Sequence, residues 1–146
     1  MILFHIYNTD FKLSNRRAIK SWIRTVLDSY GKKSGDINII FCDSEYLLEI
    51  NKKYLKHDYY TDVITFPYTE AKSTKIDGDI FIDVETVRLN AKKYVQTFKN
   101  EILRVIIHGI LHLTGKDDST KEQQTEMRKA EDAALRLFTE RRENEI

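Results

Sequence analysis

The stretch from Lys99 to Thr114 is strongly apolar, yet it carries two histidines four residues apart, His108 and His112, and stops against Gly115. A run this apolar makes a helix with most of its surface buried, so the rest of the chain has to supply a surface that covers it. On a helix of 3.6 residues per turn, positions 108 and 112 stack on one face. Their neighbours Ile106, Ile107, Ile110, Leu111 and Leu113 offer no hydrogen-bond partner to two adjacent imidazoles. A shared metal ion resolves that conflict, and a pair of separately satisfied core histidines is the alternative. Gly115 tolerates the left-handed conformation that ends a helix, so the chain turns back there and brings Asp117 and Asp118 toward the two rings.

The string HGILHLTGKDD places His, His at +4, Gly at +7 and a third ligand at +10, the frame of the zinc motif H-E-x-x-H-x-x-G-x-x-H. Gly109 stands where peptidases with that motif carry their glutamate base, and it leaves space beside the ion. Asp118 stands where they carry the third histidine. The expected ligands are therefore His108, His112 and Asp118, with Asp117 as a less favourably spaced substitute. One zinc ion is expected. A carboxylate ligand lowers the charge at the ion, acidifies its water less and weakens discrimination against manganese or magnesium.

At 146 residues the chain suits one domain with a real core, residues 1–146. Ile2 to Tyr7 read as a strand. Ile19, Trp22, Ile23, Val26, Leu27 and Tyr30 give a helix from Asn15 to Tyr30, capped by Ser14 and ended by Gly31. A second strand spans Asp36 to Cys42. Ser44 caps a helix through Leu55, with Leu47, Leu48 and Tyr54 inward. Val63 to Phe66, closed by Pro67, and Ile80 to Ile82, opened by Asp77-Gly78-Asp79, are the remaining strands. Helices follow from Asp83 to about Gln96, from Lys99 to Thr114, and from Ser119 to Arg142 with Met127, Ala130, Ala134, Leu135 and Phe138 on its inner side. The order β-α-β-α-β-β-α-α-α predicts an α+β fold, a small mixed four-stranded sheet with helices packed on it and a zincin-like metal frame on a C-terminal helix.

Cys42 is the only cysteine, which fits a reducing compartment. No apolar run is long enough to span a bilayer, and Met1 to His5 lack the features of a secretory signal, so a cytoplasmic protein without membrane contact is expected. Net charge is +1, which leaves no global basic field for nucleic acid and confines any such contact to a local patch. Arg17, Lys20 and Arg24 line one side of the first helix as a candidate phosphate-binding strip or a plain solvated face. His57, Tyr59 and Tyr60 are candidates for stacking unpaired bases or for packing on the sheet.

Three segments, HGILHLTGKDD from His108 to Asp118, INKKYLKHDYYTDVITFP from Ile50 to Pro67 and GDIFI from Gly78 to Ile82, together resemble the YbeY family, bacterial ribosomal RNA maturation factors described as metal-dependent single-strand endoribonucleases. The family pattern H-G-x-L-H-L-x-G-[Y]-D-H is matched by His108, Gly109, Leu111, His112, Leu113, Gly115 and Asp117. A second, L-N-x-x-Y-R-x-x-D-x-x-T-D-V-L-S-F-P, is similar to Ile50 through Pro67 (INKKYLKHDYYTDVITFP), and G-D-I-x-I is similar to Gly78 through Ile82. Two of the departures matter for chemistry: the family's third histidine is Asp118, and the arginine often assigned to its active cleft is Leu55. Lys53, Lys56 or Arg104 are the candidates to replace that cation. Arg104, one turn before His108, is the weak catalytic candidate, with a surface arginine as the alternative.

The resemblance implies an endoribonuclease acting in small-subunit ribosomal RNA 3′-end maturation and ribosome biogenesis or quality control, with single-stranded ribosomal RNA and the small ribosomal subunit as partners. The alternative is a non-catalytic ribosome-assembly factor with a structural metal. A metallopeptidase is the weaker option, because Gly109 removes the base.

Overall fold

The computed structural model describes residues 1–56, 61–70 and 72–144, with side chains described as far as residue 140. His57, Tyr59 and Tyr60 lie outside the described residues, so the base-stacking expectation is not addressed by them.

Period-two alternation builds the sheet. Ile2 and Phe4 in β1 (Ile2–Tyr7), Ile37, Ile39 and Phe41 in β2 (Lys33–Cys42), and Ile80 and Ile82 in β4 (Lys75–Asp83) are buried on one face. Their neighbours in β4 and in β3 (Val63–Pro67), Phe81, Ile64 and Phe66, turn to the other face. The strand order is β1-β2-β4-β3; β1, β2 and β4 run parallel, and β3 pairs antiparallel with β4 at one edge. A parallel pair needs a crossover, which α1 (Arg16–Ser29) supplies between β1 and β2. The result is an α+β fold with a four-stranded mixed sheet, as the element order predicts.

The first face carries the main core. It takes in Trp22, Ile23, Val26 and Leu27 of α1, the apolar side of α4 (Phe98–Leu113), and Met127, Ala134 and Phe138 of α5 (Lys121–Asn144). Each such Ile or Leu, removed fully from water, contributes about 1.5–3 kcal/mol. Trp22 Nε1–H donates to the Ala134 carbonyl at 2.7 Å, and its ring meets Phe138 edge-on, so α5 is pinned to α1 in a fixed rotation. The second face holds a smaller cluster of Cys42, Leu47 and Ile64 under α2 (Ser44–Leu55). The helix α3 (Val84–Lys93) leads from β4 toward α4, with Asp83 capping its first turn through Glu85 N–H and Thr86 N–H.

Two glycines let α4 lie directly on β4. A Cβ at Gly109 would stand 2.7 Å from Ile80 Cγ2, and one at Gly78 would stand 2.8 Å from Leu113 Cδ2. The sequence reading of Gly109 as open space beside an ion is thereby corrected: that direction is filled by the sheet.

Local details also differ from expectation. The first helix is preceded by Asn15 in the left-handed region, with no side-chain cap, so Ser14 does not cap it. Asp43, not Ser44, caps α2 by accepting from Tyr46 N–H at 2.9 Å. Tyr54 faces solvent, and Asn51 takes the buried position on its helix. The third helix ends at Lys93 rather than near Gln96, because Val95 adopts φ 54° and turns the chain out.

Candidate metal centre

The turn that ends α4 is a Schellman motif. Gly115 N–H donates to the His112 carbonyl and Lys116 N–H to the Leu111 carbonyl, with Gly115 at φ 102°. This turn does two things for His112. It brings the Lys116 carbonyl to 2.9 Å from Nδ1, and it carries Asp118 back over the ring. A carbonyl only accepts, so Nδ1 of His112 bears the hydrogen and its Nε2 presents a lone pair.

His108 is fixed in the same sense from the other side. Its Nδ1 lies 2.7 Å from Glu131 Oε2 on α5, and an ionised carboxylate also only accepts. Both Nε2 atoms therefore point lone pairs into one space. They are 3.0 Å apart, and Asp118 Oδ2 lies 3.4 Å from each. Two lone pairs and an anionic oxygen at such distances repel unless a cation sits among them. His108, His112 and Asp118 thus form a group able to hold a metal ion.

The electrostatics agree with that geometry. Burial pulls the His108 imidazole toward the neutral form, but the Glu131 hydrogen bond and the nearby carboxylates of Glu131, Asp118 and Asp62 outweigh it and raise its pKa. Burial pushes the Glu131 carboxyl up, while the His108 bond and the Arg104 guanidinium outweigh that and lower it. A metal ion at this point would displace a proton from between the two rings.

Arg104 does not reach into the cleft. Its Nη1 donates to Glu131 Oε1 at 3.0 Å and its Nη2 to Asp132 Oδ1 at 2.8 Å. Asp117 is likewise occupied: its Oδ1 accepts from Asp118 N–H and Ser119 Oγ–H, which folds the loop that presents Asp118. Lys53 lies over the Tyr54 ring. Lys56 ends α2 in the left-handed region.

The site opens into a cleft of about 320 Å³ between α4 and β3, lined by Asn51, Leu55, Asp62, Thr65 and the metal-site residues, among others. Among the described residues its charged lining is Asp62 and Asp118, with no lysine or arginine. Asp62 lies just before β3: burial raises its pKa, and the His108 charge together with the backbone N–H groups of Asp62 and Val63 opposes this.

Asp62, Asn51 and Glu131 were not singled out from sequence. A signal for the last two was available, since Glu131 follows Met127 and Asn51 follows Leu47 by four residues, polar side chains on an apolar stripe. Asp62 carries a different signal: like Asn51, it is identical to its position in the second of the three patterns that carry the family resemblance.

A family model for the endoribonuclease YbeY matches residues 5–139. The chain belongs to the YbeY family. Similar relatives named endoribonuclease YbeY come from Parabacteroides distasonis, 46% identical over 136 residues (92% of this chain, 94% of that one), and from Cytophaga hutchinsonii, 44% identical over 136 residues (93% and 94%). The solution structure of TM1509 from Thermotoga maritima superposes with a TM-score of 0.61 at 26% identity, covering 97% of this chain and 93% of that one. Two residues that depart from the YbeY pattern in chemical type, Leu55 and Asp118, both line the cleft, Asp118 beside the two histidines.

Proposed function

We propose that this YbeY-family chain is a metal-dependent single-strand endoribonuclease, with one zinc ion at His108, His112 and Asp118. Its proposed role is small-subunit ribosomal RNA 3′-end maturation and ribosome biogenesis or quality control in the cytoplasm, with single-stranded RNA of the small ribosomal subunit as substrate. The observation that carries the reading is the convergence of two Nε2 lone pairs and one carboxylate oxygen on a point at the mouth of a cleft. A zinc-bound tetrahedron with bonds of 2.0–2.1 Å has ligand edges of about 3.3 Å, and imidazole donors favour zinc over harder ions. The edges of 3.0 and 3.4 Å bracket that value. Manganese and magnesium are the alternatives, through the oxygen of Asp118.

Such an ion supplies a Lewis acid that polarises a phosphoryl oxygen and activates water. The chain's own part is to admit and orient the substrate. The cleft's two carboxylates repel a phosphodiester, so the ion's charge is what makes the cleft habitable for RNA. Peptide hydrolysis fits less well: a glutamate in the Gly109 position would be driven into Ile80 rather than toward the ion. No helix among the described residues is long and apolar enough to cross a membrane.

Incubating the purified chain with a single-stranded RNA and zinc tests the proposal. Cleavage is expected, with loss in His112→Ala; cleavage that survives that change defeats the reading. One observation favours a second reading, a ribosome-assembly factor in which the ion only braces the fold. Leu55 stands at the cleft rim where an arginine would grip phosphate. Chelator-induced unfolding, together with no cleavage under zinc, manganese or magnesium, would select it.

A further inference from the structure

We infer that Glu131 and Arg104 are positioning residues that set the tautomer of His108 and with it the affinity for the metal. The inference rests on the metal-site reading above and concerns residues well outside the HGILHLTGKDD segment. Glu131 is on α5, and its side chain is 7% exposed. A carboxylate so buried needs both oxygens occupied and its charge answered. Oε2 takes the His108 Nδ1–H at 2.7 Å, and Oε1 takes Arg104 Nη1–H at 3.0 Å. Arg104 is itself 15% exposed and anchored a second time by Asp132.

The relay has a direction. Arg104 and His108 are four apart on α4, so their side chains rise on the same helix face and Glu131 is lowered between them from α5. The fork of the guanidinium fixes the plane of the carboxylate. The carboxylate in turn fixes the hydrogen of His108 on Nδ1 and leaves Nε2 free for a metal. A neutral imidazole without that acceptor places its hydrogen on either nitrogen, and the form with Nε2–H cannot bind the ion. The negative charge behind the ring also makes it a better donor. Among the described residues the Nδ1 partner of His112 is the neutral Lys116 carbonyl, so of the two histidines it is His108 that has the charge-assisted bond. This assigns Arg104 a task different from holding phosphate, and it makes α5 part of the site.

The test measures zinc affinity by competition with a chromogenic chelator in the wild-type chain and in Glu131→Ala, Glu131→Gln, Arg104→Met, Arg104→Lys and His112→Ala. Near-UV circular dichroism identifies which variants are folded. Glu131→Ala should bind zinc about 10–100-fold more weakly. Glu131→Gln keeps an acceptor oxygen without the charge and should fall between. Arg104→Met should weaken binding, and Arg104→Lys should restore most of it. A ¹⁵N spectrum of the metal-free imidazoles, recorded at a pH above the raised His108 value so that the ring is neutral, supplies a readout that general destabilisation would not move: His108 carries Nδ1–H in the wild type and shifts toward Nε2–H in Glu131→Ala. Should the alanine variant not fold, Glu131→Gln and the two Arg104 variants decide. Zinc affinity in the folded Glu131 and Arg104 variants within twofold of wild type, or an unchanged His108 tautomer, overturns the inference while the metal site stands. Wild-type chain that binds zinc no better than His112→Ala overturns the metal site, and this inference with it.

Discussion

His108 and Glu131 shift in opposite senses, and the signs fix a pH window. The imidazole's pKa is raised in the folded chain, so its stabilising contribution is complete below the ordinary histidine value of about 6.5 and fades as pH climbs through the raised one. The carboxyl's is lowered, so its contribution is complete above the ordinary glutamate value of about 4.3 and fades as pH falls through the depressed one. In metal-free protein the pair is therefore strongest from about pH 4.3 to about 6.5. Urea unfolding of chelator-treated wild type and Glu131→Gln should differ most there and converge as the solution becomes alkaline. A gap that widens with rising pH would mean the pair is not the stabilising unit. The same proton has to leave before a metal enters, so zinc affinity should climb through the raised His108 value. This pairing was not readable from sequence, because nothing in the spacing connects position 108 with position 131. The trio was readable, because a buried helix with two stacked imidazoles and a glycine break leaves Asp118 few other places to go.

Among the elements, α4 shows how packing overrides local preference. Helix propensity favours alanine over glycine by about 1 kcal/mol, so Gly109→Ala alone should stabilise an isolated helix. Against the sheet the new methyl meets Ile80 Cγ2 at 2.7 Å, a methyl held on the branched Cβ of a buried strand residue, and overpacking costs about 1–3 kcal/mol. The net expectation is a loss of up to about 2 kcal/mol, read as a lower urea midpoint with an unchanged slope; a gain would mean α4 stands further from β4 than described. Val95 is the opposite case. It closes α3 by a Schellman turn at φ 54°, a region that a β-branched side chain enters at a cost of about 1–2 kcal/mol. The side chain is 90% exposed and loses little if removed. Val95→Gly should raise the melting temperature by a few degrees, about 1 kcal/mol, measured by thermal unfolding. The position of that turn was hidden because the residue is valine: the breaks at Gly31 and Gly115 could be read from their glycines, while this one could not. The strands were readable by alternation, but their order was not, since the placement of β3 at the edge depends on pairing with β4 across a loop.

The whole molecule separates its core from its chemistry, and this decides what metal removal should do. The cluster joining the sheet to α1, α4 and α5 includes Trp22, Ile39, Ile80, Ile106, Ile110 and Phe138, and the Trp22 bond to Ala134 ties α5 down less than one turn beyond Glu131, without help from an ion. None of those contacts passes through the metal. The ion would join the end of α4 to the loop at Asp118, and through His108 and Glu131 to α5. Zinc present at a thousandfold above its dissociation constant adds about 4 kcal/mol to stability by mass action. Chelation should remove that increment yet leave a folded protein, with the same far-UV circular dichroism and a single cooperative transition at lower urea. Amide hydrogen exchange should quicken at residues 114–118 and in the part of α5 around Glu131, while the amides of β2 and β4 keep their protection. Loss of sheet protection on chelation would show that the core leans on the ion, and would move the balance to the bracing role. Local loosening, by contrast, places the ion where a nuclease needs it, at a rim that can open to a strand of RNA without unsettling the sheet beneath.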